Sequence, residues 1–266
     1  MILGDHILYC GDFFRKYCRL PDRSVDLVVT DPPYGVTGRM NPWDIGVDFG
    51  HLAGIFNQKL TSVATIALIC NARLIPVILQ DFRRYFKYRY TEIWKKPSAE
   101  VKHKDRPKPD VDFVLVLDRK NAKKIDRIFN WKDIAEIREP YRRVNRNLEN
   151  ATMPTLKREV DENPSGHRYP STVLEVPNRP AMTSWELEGV THRQQKSLYH
   201  VERLIRLLSH RGQVVLDPFM GSGTTVVAAA RCGRTGIGFE VERRFFNQAR
   251  RRLERALKEN HDAVTL

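Results

Sequence analysis

Strand-length apolar runs alternate with helix-like segments along most of this 266-residue chain, and this alternation limits the possible folds more than any other feature of the sequence. The clearest strand is Val25–Thr30, a run rich in β-branched residues that ends at a loop signal. Such an alternation is typical of an α/β fold, in which helices cover both faces of a sheet. The other predicted strands are 7–10, 64–70, 88–94, 111–117, 214–216 and 235–239. The predicted helices are 13–20, 49–62, 74–85, 195–208, 224–232 and 243–258.

The alternation fades between residues 120 and 188, a stretch rich in Arg, Asn, Pro and Glu in which helix-breaking prolines recur. This composition fits either an inserted domain or a long irregular crossing, and we favour the insert. The sequence therefore predicts three segments, 1–119, 120–188 and 189–266.

The charge of the chain is strongly basic, since 45 Lys and Arg against 32 Asp and Glu give a formal net charge of +13. The basic residues cluster in 83–108 and 242–258. This surplus favours a polyanionic partner such as nucleic acid, although a solvated basic surface would have the same composition. No apolar run approaches the ~18 residues of a membrane helix, and the first residues lack the pattern of a secretion signal. The four cysteines are scattered, which argues against a disulfide framework or a zinc site and favours a reducing cytoplasm.

The motif Asp31-Pro32-Pro33-Tyr34 directly follows the strand Val25–Thr30, at the strand end where open α/β sheets bind ligands. The two prolines restrict the backbone, so we expect the carboxylate of Asp31 and the carbonyl of Pro32 to point in fixed directions. Two acceptors held in this way can take both hydrogens of an exocyclic amino group, and Tyr34 offers an aromatic face for the attached ring. A proline-rich turn without a chemical role is the alternative.

A second motif, DPFMGSGTT at 217–225, lies between a predicted strand and a predicted helix. Gly221 and Gly223 allow the backbone to approach a ligand closely where the helix begins. Glu240 ends the next strand, nineteen residues after Gly221, where an acidic residue commonly binds the ribose hydroxyls of a nucleoside. The glycines alone would fit a tight structural turn, but their pairing with Glu240 predicts a site for a nucleoside cofactor.

Together the two motifs resemble those of S-adenosylmethionine-dependent DNA amino-methyltransferases. The catalytic motif comes first, a variable region follows and the cofactor motif comes last, an order that resembles the β class of that family. The resemblance implies a Rossmann-like methyltransferase sheet with helices on both faces and a circularly permuted motif order. It also implies that 1–119 and 189–266 are the catalytic and cofactor-binding halves of one domain, and that 120–188 is a target-recognition insert.

The resemblance extends to two further segments. Gly11-Asp12 resembles the acidic position near the adenine of the cofactor, and 191–197 resembles the segment that opens the helix over its methionine end. Ser197 stands where the family usually has proline. The predicted catalytic residues are Asp31, Pro32, Pro33 and Tyr34. The predicted cofactor-binding residues are Asp12, Asp31, His192, Lys196, Ser197, Asp217, Pro218, Phe219, Gly221, Ser222, Gly223, Thr224, Thr225 and Glu240.

These features predict transfer of a methyl group to the N6 amino group of adenine, in a base flipped out of double-stranded DNA and stacked on Tyr34. Asp31 resembles the adenine-modifying members of the family, while N4-cytosine enzymes of this arrangement more often have Ser there. N4-cytosine methylation and a catalytically silent nucleic-acid-binding protein are the alternatives. The resemblance further suggests a cytoplasmic protein of a prokaryote or phage, without metal or membrane. It leaves open a homodimer and a cognate restriction endonuclease acting on the same site.

Overall fold

A computed structural model of the protein describes residues 1–35, 46–96, 110–139, 141–144, 160–175 and 195–264. The chain divides into two compact units, one of Met1–Phe129 with Thr172–Leu266 and one of Asn130–Ser171.

The first unit contains a nine-stranded sheet. Its strands are β1 (Ile2–Leu3), β2 (His6–Cys10), β3 (Val25–Thr30), β4 (Leu60–Cys70), β5 (Phe86–Lys95), β6 (Val111–Arg119), β11 (Val173–Glu175), β12 (Val214–Asp217) and β13 (Thr235–Glu240). Its helices are α1 (Phe13–Lys16), α2 (Phe49–Lys59), α3 (Ile75–Phe82), α4 (Leu198–Leu208), α5 (Thr224–Arg231) and α6 (Arg243–Val264), with short 3₁₀ segments at Tyr17–Arg19 and Lys124–Asp126.

The strand order is β1-β2-β13-β12-β3-β4-β6-β5-β11. Strands β2, β13, β12, β3 and β4 run parallel to one another. Strand β1 is antiparallel to β2, and β6 runs antiparallel between β4 and β5. The pairing of Leu216 with Val28 places β12 beside β3, although the two strands come from opposite ends of the chain. The loops that follow these two strands therefore lie at the same edge of the sheet.

The core lies on both sides of β3, whose Val25, Leu27, Val28 and Val29 are fully buried, as a continuous apolar run predicts. Helices α1, α2 and α3 contribute Phe13, Phe56 and Phe82 to one core cluster with Val28 and Leu216. Helices α4, α5 and α6 pack in sequence, α4 against β3 and α5 against β12 and β13. The α/β fold predicted from the alternation is confirmed.

Five helices, α1 to α5, are shorter than the periodicity predicts, and the reason is clearest for α2 and α4. Helix α2 ends at Lys59, because Leu60 adopts an extended conformation and pairs with Val25 as the first residue of β4. Helix α4 begins at Leu198 and is preceded by the extended residue Ser197. Its predicted apolar stripe is buried as a whole, at Leu198, Val201, Leu204, Ile205 and Leu208. Within the ranges that the structure describes, no helix is both long and apolar enough to cross a membrane.

The second unit is built from short antiparallel pairs and a 3₁₀ segment, Trp131–Ile134. Its strands are β7 (Glu136–Ile137), β8 (Tyr141–Val144), β9 (Val160–Asn163) and β10 (His167–Arg168), paired as β7 with β10 and β8 with β9. The ring of Trp131 stacks on that of Tyr169, with centroids 4.1 Å apart and planes at 13°. This unit, Asn130–Ser171, lies inside the segment 120–188. That this segment is a target-recognition insert with those bounds stays a prediction.

Candidate active site

The loops after β3 and β12 line one cavity of about 410 Å³ at the carboxyl ends of the two strands. Thr30, the last residue of β3, donates a buried hydrogen bond of 2.7 Å from its hydroxyl to Oδ1 of Asp217, the last residue of β12. This bond joins the two sequence motifs across 187 residues of chain. Both motifs thus meet where an open α/β sheet binds its ligand.

Most of the predicted site residues line this cavity: Asp12, Asp31, Pro32, Pro33, Tyr34, Lys196, Asp217, Pro218, Phe219, Gly221, Ser222, Thr224, Thr225 and Glu240. Two predicted residues are not among its lining: Gly223 lies directly before α5, and Ser197 is buried directly before α4. His192 lies outside the residues that the structure describes.

The carboxylate of Asp31 is held from two sides. The Tyr34 hydroxyl donates a hydrogen bond of 2.5 Å to Oδ1, and Nζ of Lys196 lies 3.1 Å from Oδ2. Burial, together with the negative charge of Asp31, raises the pKa of Tyr34 well above its ordinary value, so the hydroxyl stays protonated and continues to donate. The sequence suggested Tyr34 as a stacking surface, and the structure adds that its hydroxyl orients Asp31.

Lys196 forms a second ion pair, at 3.1 Å, with Oδ2 of Asp112 on β6. The resemblance assigns Lys196 to the methionine end of the cofactor, and the structure shows its ammonium between two carboxylates. Burial alone would lower the pKa of Lys196, but Asp31 and Asp112 raise it above its ordinary value, so the ammonium stays charged. Sequence reasoning missed Asp112, for which the one available signal was an acidic residue near the start of an apolar strand.

The glycine loop between β12 and α5 has a backbone that most residues cannot adopt. Gly221 and Gly223 have φ angles of +52° and +84°, in the left-handed region that favours glycine. Arg252 of α6 stabilises the loop through two hydrogen bonds. Its Nη1 donates to the Ser222 carbonyl at 2.7 Å and to the Thr224 hydroxyl at 3.3 Å. The sequence indicated Arg252 only as part of the basic cluster 242–258 and not as a contact of this loop, because it lies 28 residues beyond Thr224.

Two buried carboxyl groups face the cavity beside this loop. Glu240 accepts hydrogen bonds from the backbone N–H groups of Gly221 at 2.9 Å and Glu242 at 2.7 Å. Burial raises the pKa of Glu240 to about 7 and that of Asp217 to about 6. Glu240 is the last residue of β13, the strand end at which the sequence predicts it, and the structure adds its contact with the glycine loop.

Asp12 occupies the neighbouring end of β2. Its carboxylate caps α1 by accepting a hydrogen bond of 2.9 Å from the N–H of Phe14. The N–H of Gly11 donates to the Glu240 carbonyl at 2.7 Å, which ties this loop to the end of β13. The ends of four strands, β2, β3, β12 and β13, thus contribute acidic residues to one cavity. The described residues hold no group of three or more His, Cys, Asp or Glu side chains that could bind a metal.

Comparison with known proteins agrees with this arrangement. The profile of a DNA methylase family, the N6 and N4 methyltransferases, matches residues 25–251. The Type II methyltransferase M2.MboI of Moraxella bovis is 40% identical over 91% of this chain and 84% of its own length. The DNA adenine methyltransferase YhdJ of Escherichia coli (strain K12) is 26% identical over 92% of this chain and 81% of its own. The crystal structure of the M1.HpyAVI–SAM complex has a TM-score of 0.62 at 23% identity, covering 93% of this chain and 98% of that chain.

A mainly parallel sheet whose two central strands end in motif loops around one cavity defines the methyltransferase fold. With a family match over most of its length, the chain belongs to the DNA methylase family of N6 and N4 methyltransferases. The family predicted from the two motifs is confirmed, and its members use S-adenosylmethionine as the methyl donor.

Proposed function

We propose that this DNA methyltransferase methylates the N6 amino group of adenine in double-stranded DNA. The observation that carries the proposal is the position of Asp31. Its carboxylate lies at the end of β3, in the same cavity as the glycine loop, and the bond between Thr30 and Asp217 holds the two loops together. A target amino group and a nucleoside cofactor can therefore meet in one place.

The cavity suits S-adenosylmethionine in size and charge. Its volume lies in the range of small-molecule sites. Lys196 is basic, while five of the described lining residues are acidic: Asp12, Asp31, Asp217, Glu240 and Glu242. Glu240 and Asp12 would accept hydrogen bonds from the ribose hydroxyls and the adenine of the cofactor, and Phe219 offers an aromatic surface. The cofactor supplies a methyl group that its positively charged sulfur has already activated.

The residues of the first motif orient the target amine. Asp31 and the Pro32 carbonyl accept its two hydrogens, which favours a pyramidal nitrogen with an exposed lone pair. The nitrogen releases one proton once it carries the methyl group, and Asp31 is the carboxylate placed to accept it. Because the N6 amino group cannot be reached inside a stacked duplex, the base is flipped into the cavity beside Tyr34.

Adenine is the favoured base because position 31 is aspartate and because a relative along most of the chain, YhdJ, is named a DNA adenine methyltransferase. The matching family includes both N6 and N4 enzymes, so N4-cytosine methylation is the second candidate.

The test is transfer of labelled methyl groups to unmethylated plasmid DNA, followed by mass analysis of the nucleosides. N6-methyladenine is the expected product, and N4-methylcytosine would contradict the assigned base. Asp31→Ala should lower the rate by about 10³-fold, since it removes an acceptor that acts on the reacting nitrogen. Its Kd for S-adenosylmethionine should stay close to that of the wild type. Asp5→Ala, at an exposed turn outside the cavity, is the control and should keep full activity.

We further infer that the second unit takes part in reading the target sequence, and that the enzyme works in a restriction–modification pair as a homodimer. The Type II name of the Moraxella relative supports the pairing with an endonuclease. Mapping of methylated sites on a plasmid would define the recognised sequence, and plasmid modified there should resist an endonuclease of that specificity. Sedimentation at several protein concentrations would report the oligomeric state.

A further inference from the structure

Four charged side chains form a row beside the cavity, in the order Asp31, Lys196, Asp112 and Lys96. Nζ of Lys196 lies 3.1 Å from Oδ2 of Asp31 and 3.1 Å from Oδ2 of Asp112. Nζ of Lys96 lies 2.9 Å from Oδ1, the other carboxylate oxygen of Asp112. The side chains of Asp31, Lys196 and Asp112 are 24%, 18% and 14% exposed, so water screens these ion pairs only in part.

Asp112 differs from Asp31 in its position relative to the cavity. Asp31 and Lys196 are lining residues, whereas Asp112 is not among the described ones. Asp112 lies on β6, which is fixed in the sheet by its pairing with β4 on one side and β5 on the other. Its hydrogen bond and ion pair with the site both go to Lys196, so that ammonium is its direct contact beside the catalytic carboxylate.

Lys196 belongs to a segment without regular secondary structure, residues 195–197, directly before α4. A lysine side chain has four rotatable bonds and many rotamers. An ammonium on such a segment therefore needs binding partners to keep one position. Asp112 supplies a partner from a rigid strand. It also takes up part of the positive charge, which leaves Asp31 a stronger acceptor than it would be in an exclusive pair with Lys196.

We infer that Asp112 is a positioning residue for methyl transfer, which holds the Lys196 ammonium against Asp31 and so fixes the carboxylate that accepts the hydrogens of the target amine. This inference rests on the proposed function. It assigns a role to a residue of the catalytic half that neither sequence motif contains.

The first experiment measures kcat, KM for DNA and Kd for S-adenosylmethionine in Asp112→Asn. Asparagine keeps the size of the side chain and removes its charge, so Lys196 loses its second anchor. We expect kcat to fall by about 10- to 100-fold, the cost of a small displacement of a reacting group. The Kd for the cofactor should stay at the wild-type value, because Asp112 does not line the cavity.

The second experiment tests whether Asp112 acts through Lys196. Lys196→Met should lower kcat at least as far as Asp112→Asn does. The double variant should then have the kcat of Lys196→Met alone, because an anchor has no effect once the ammonium is gone. The double variant also removes both charges of a buried pair together, so it can carry the test if Asp112→Asn does not fold.

Asp118→Asn is the matched control. Asp118 lies on the same strand and is more deeply buried, with its side chain 2% exposed against 14% for Asp112. It pairs with Arg127 at 2.9 Å and Arg89 at 3.4 Å and not with the site. The change in kcat of Asp118→Asn measures the general effect of removing a buried carboxylate from β6. We expect kcat per folded enzyme to stay within about twofold of the wild type.

Three outcomes would overturn the inference while leaving the proposed function intact. The first is a wild-type kcat in Asp112→Asn, and the second is a loss of cofactor binding in that variant. The third is a double variant whose kcat falls by the product of the two fold reductions of the single variants. A wild-type protein that transfers no methyl group to DNA would instead overturn the proposed function, and the inference with it.

Discussion

Burial of Glu240 in the cavity makes its carboxyl group a weaker acid, and this links folding stability to pH. Burial raises the pKa of Glu240 from 4.5 to about 7. A raised pKa means that the folded protein keeps a proton that the unfolded chain has released. The contribution of Glu240 to folding stability therefore falls as the pH rises from about 4.5 through about 7. A group that costs stability at neutral pH needs a functional reason to be there, and hydrogen bonding to the cofactor supplies one.

The affinity for S-adenosylmethionine should depend on the ionisation of Glu240. An ionised carboxylate accepts hydroxyl hydrogens more strongly than a protonated one, so the Kd should fall as the pH rises through about 7. Glu240→Gln should remove this dependence and weaken binding by about 10-fold. Calorimetry on both sides of neutrality would measure it.

Adenosine is the control ligand for that experiment, because it keeps the ribose and lacks the amino-acid part, which has an ionisable amino group of its own. The same pH dependence in Glu240→Gln as in the wild type would show that another group is responsible.

At the scale of elements, the site depends on how β12, the glycine loop and α5 pack against α6. Gly223 lies at the centre of this packing. A Cβ atom there would come within 2.6 Å of the Cβ atom of Ala249 on α6, and the φ angle of +84° would be strained for any other residue. Helix α6 thus reaches the loop in two ways, through Ala249 beneath Gly223 and through the bonds of Arg252 to Ser222.

Gly223→Ala should lower the free energy of unfolding by about 2 to 4 kcal/mol. This loss combines the strained backbone of residue 223 with the steric clash between the new methyl group and Ala249, which α6 must shift to relieve. Gly212→Ala is the matched control, because Gly212 has a similar φ of +80° and open space around its Cβ position. It should lose only the strain, about 1 kcal/mol. Urea denaturation of both variants would measure the difference, and equal losses would show that the contact with Ala249 has no energetic weight.

For the molecule as a whole, charge is distributed in two opposite ways. The chain carries a formal net charge of +13, yet five of the six charged residues among the described lining of the cavity are acidic. The acidic cavity attracts a cationic cofactor, and the basic surplus attracts a polyanion. The two ligands of a DNA methyltransferase thus meet opposite electrostatic environments on one protein.

DNA binding should therefore weaken steeply with salt. Neutralisation of several phosphates releases counterions, so we expect the affinity for a duplex to fall by about 10³-fold between about 50 and about 200 mM salt. Fluorescence anisotropy with a labelled duplex would measure the slope. Cofactor affinity, measured over the same range, is the internal control and should change little. A flat salt dependence would mean that the basic residues form a solvated surface with no part in DNA binding.

Much of the fold could be predicted from the sequence because its signals are local. The buried run Val25–Thr30 and the apolar stripe of α4 each follow from the spacing of side chains along a few turns or residues. The two motifs were recognisable for the same reason, since each is contiguous and each follows a strand. Helix ends were less predictable: α2 stops at Lys59 because Leu60 pairs with a strand far away in the sequence.

The sequence by itself thus determined the class of fold, the family and the two motif loops, because periodicity and contiguous motifs are local properties of a chain. The tertiary structure alone decided which side chains complete the site. Asp112 reaches Lys196 across 84 residues, and Thr30 reaches Asp217 across 187. Such contacts depend on the order of strands in the sheet, which places the ends of β3, β6 and β12 at the site, and no spacing along the chain encodes that proximity.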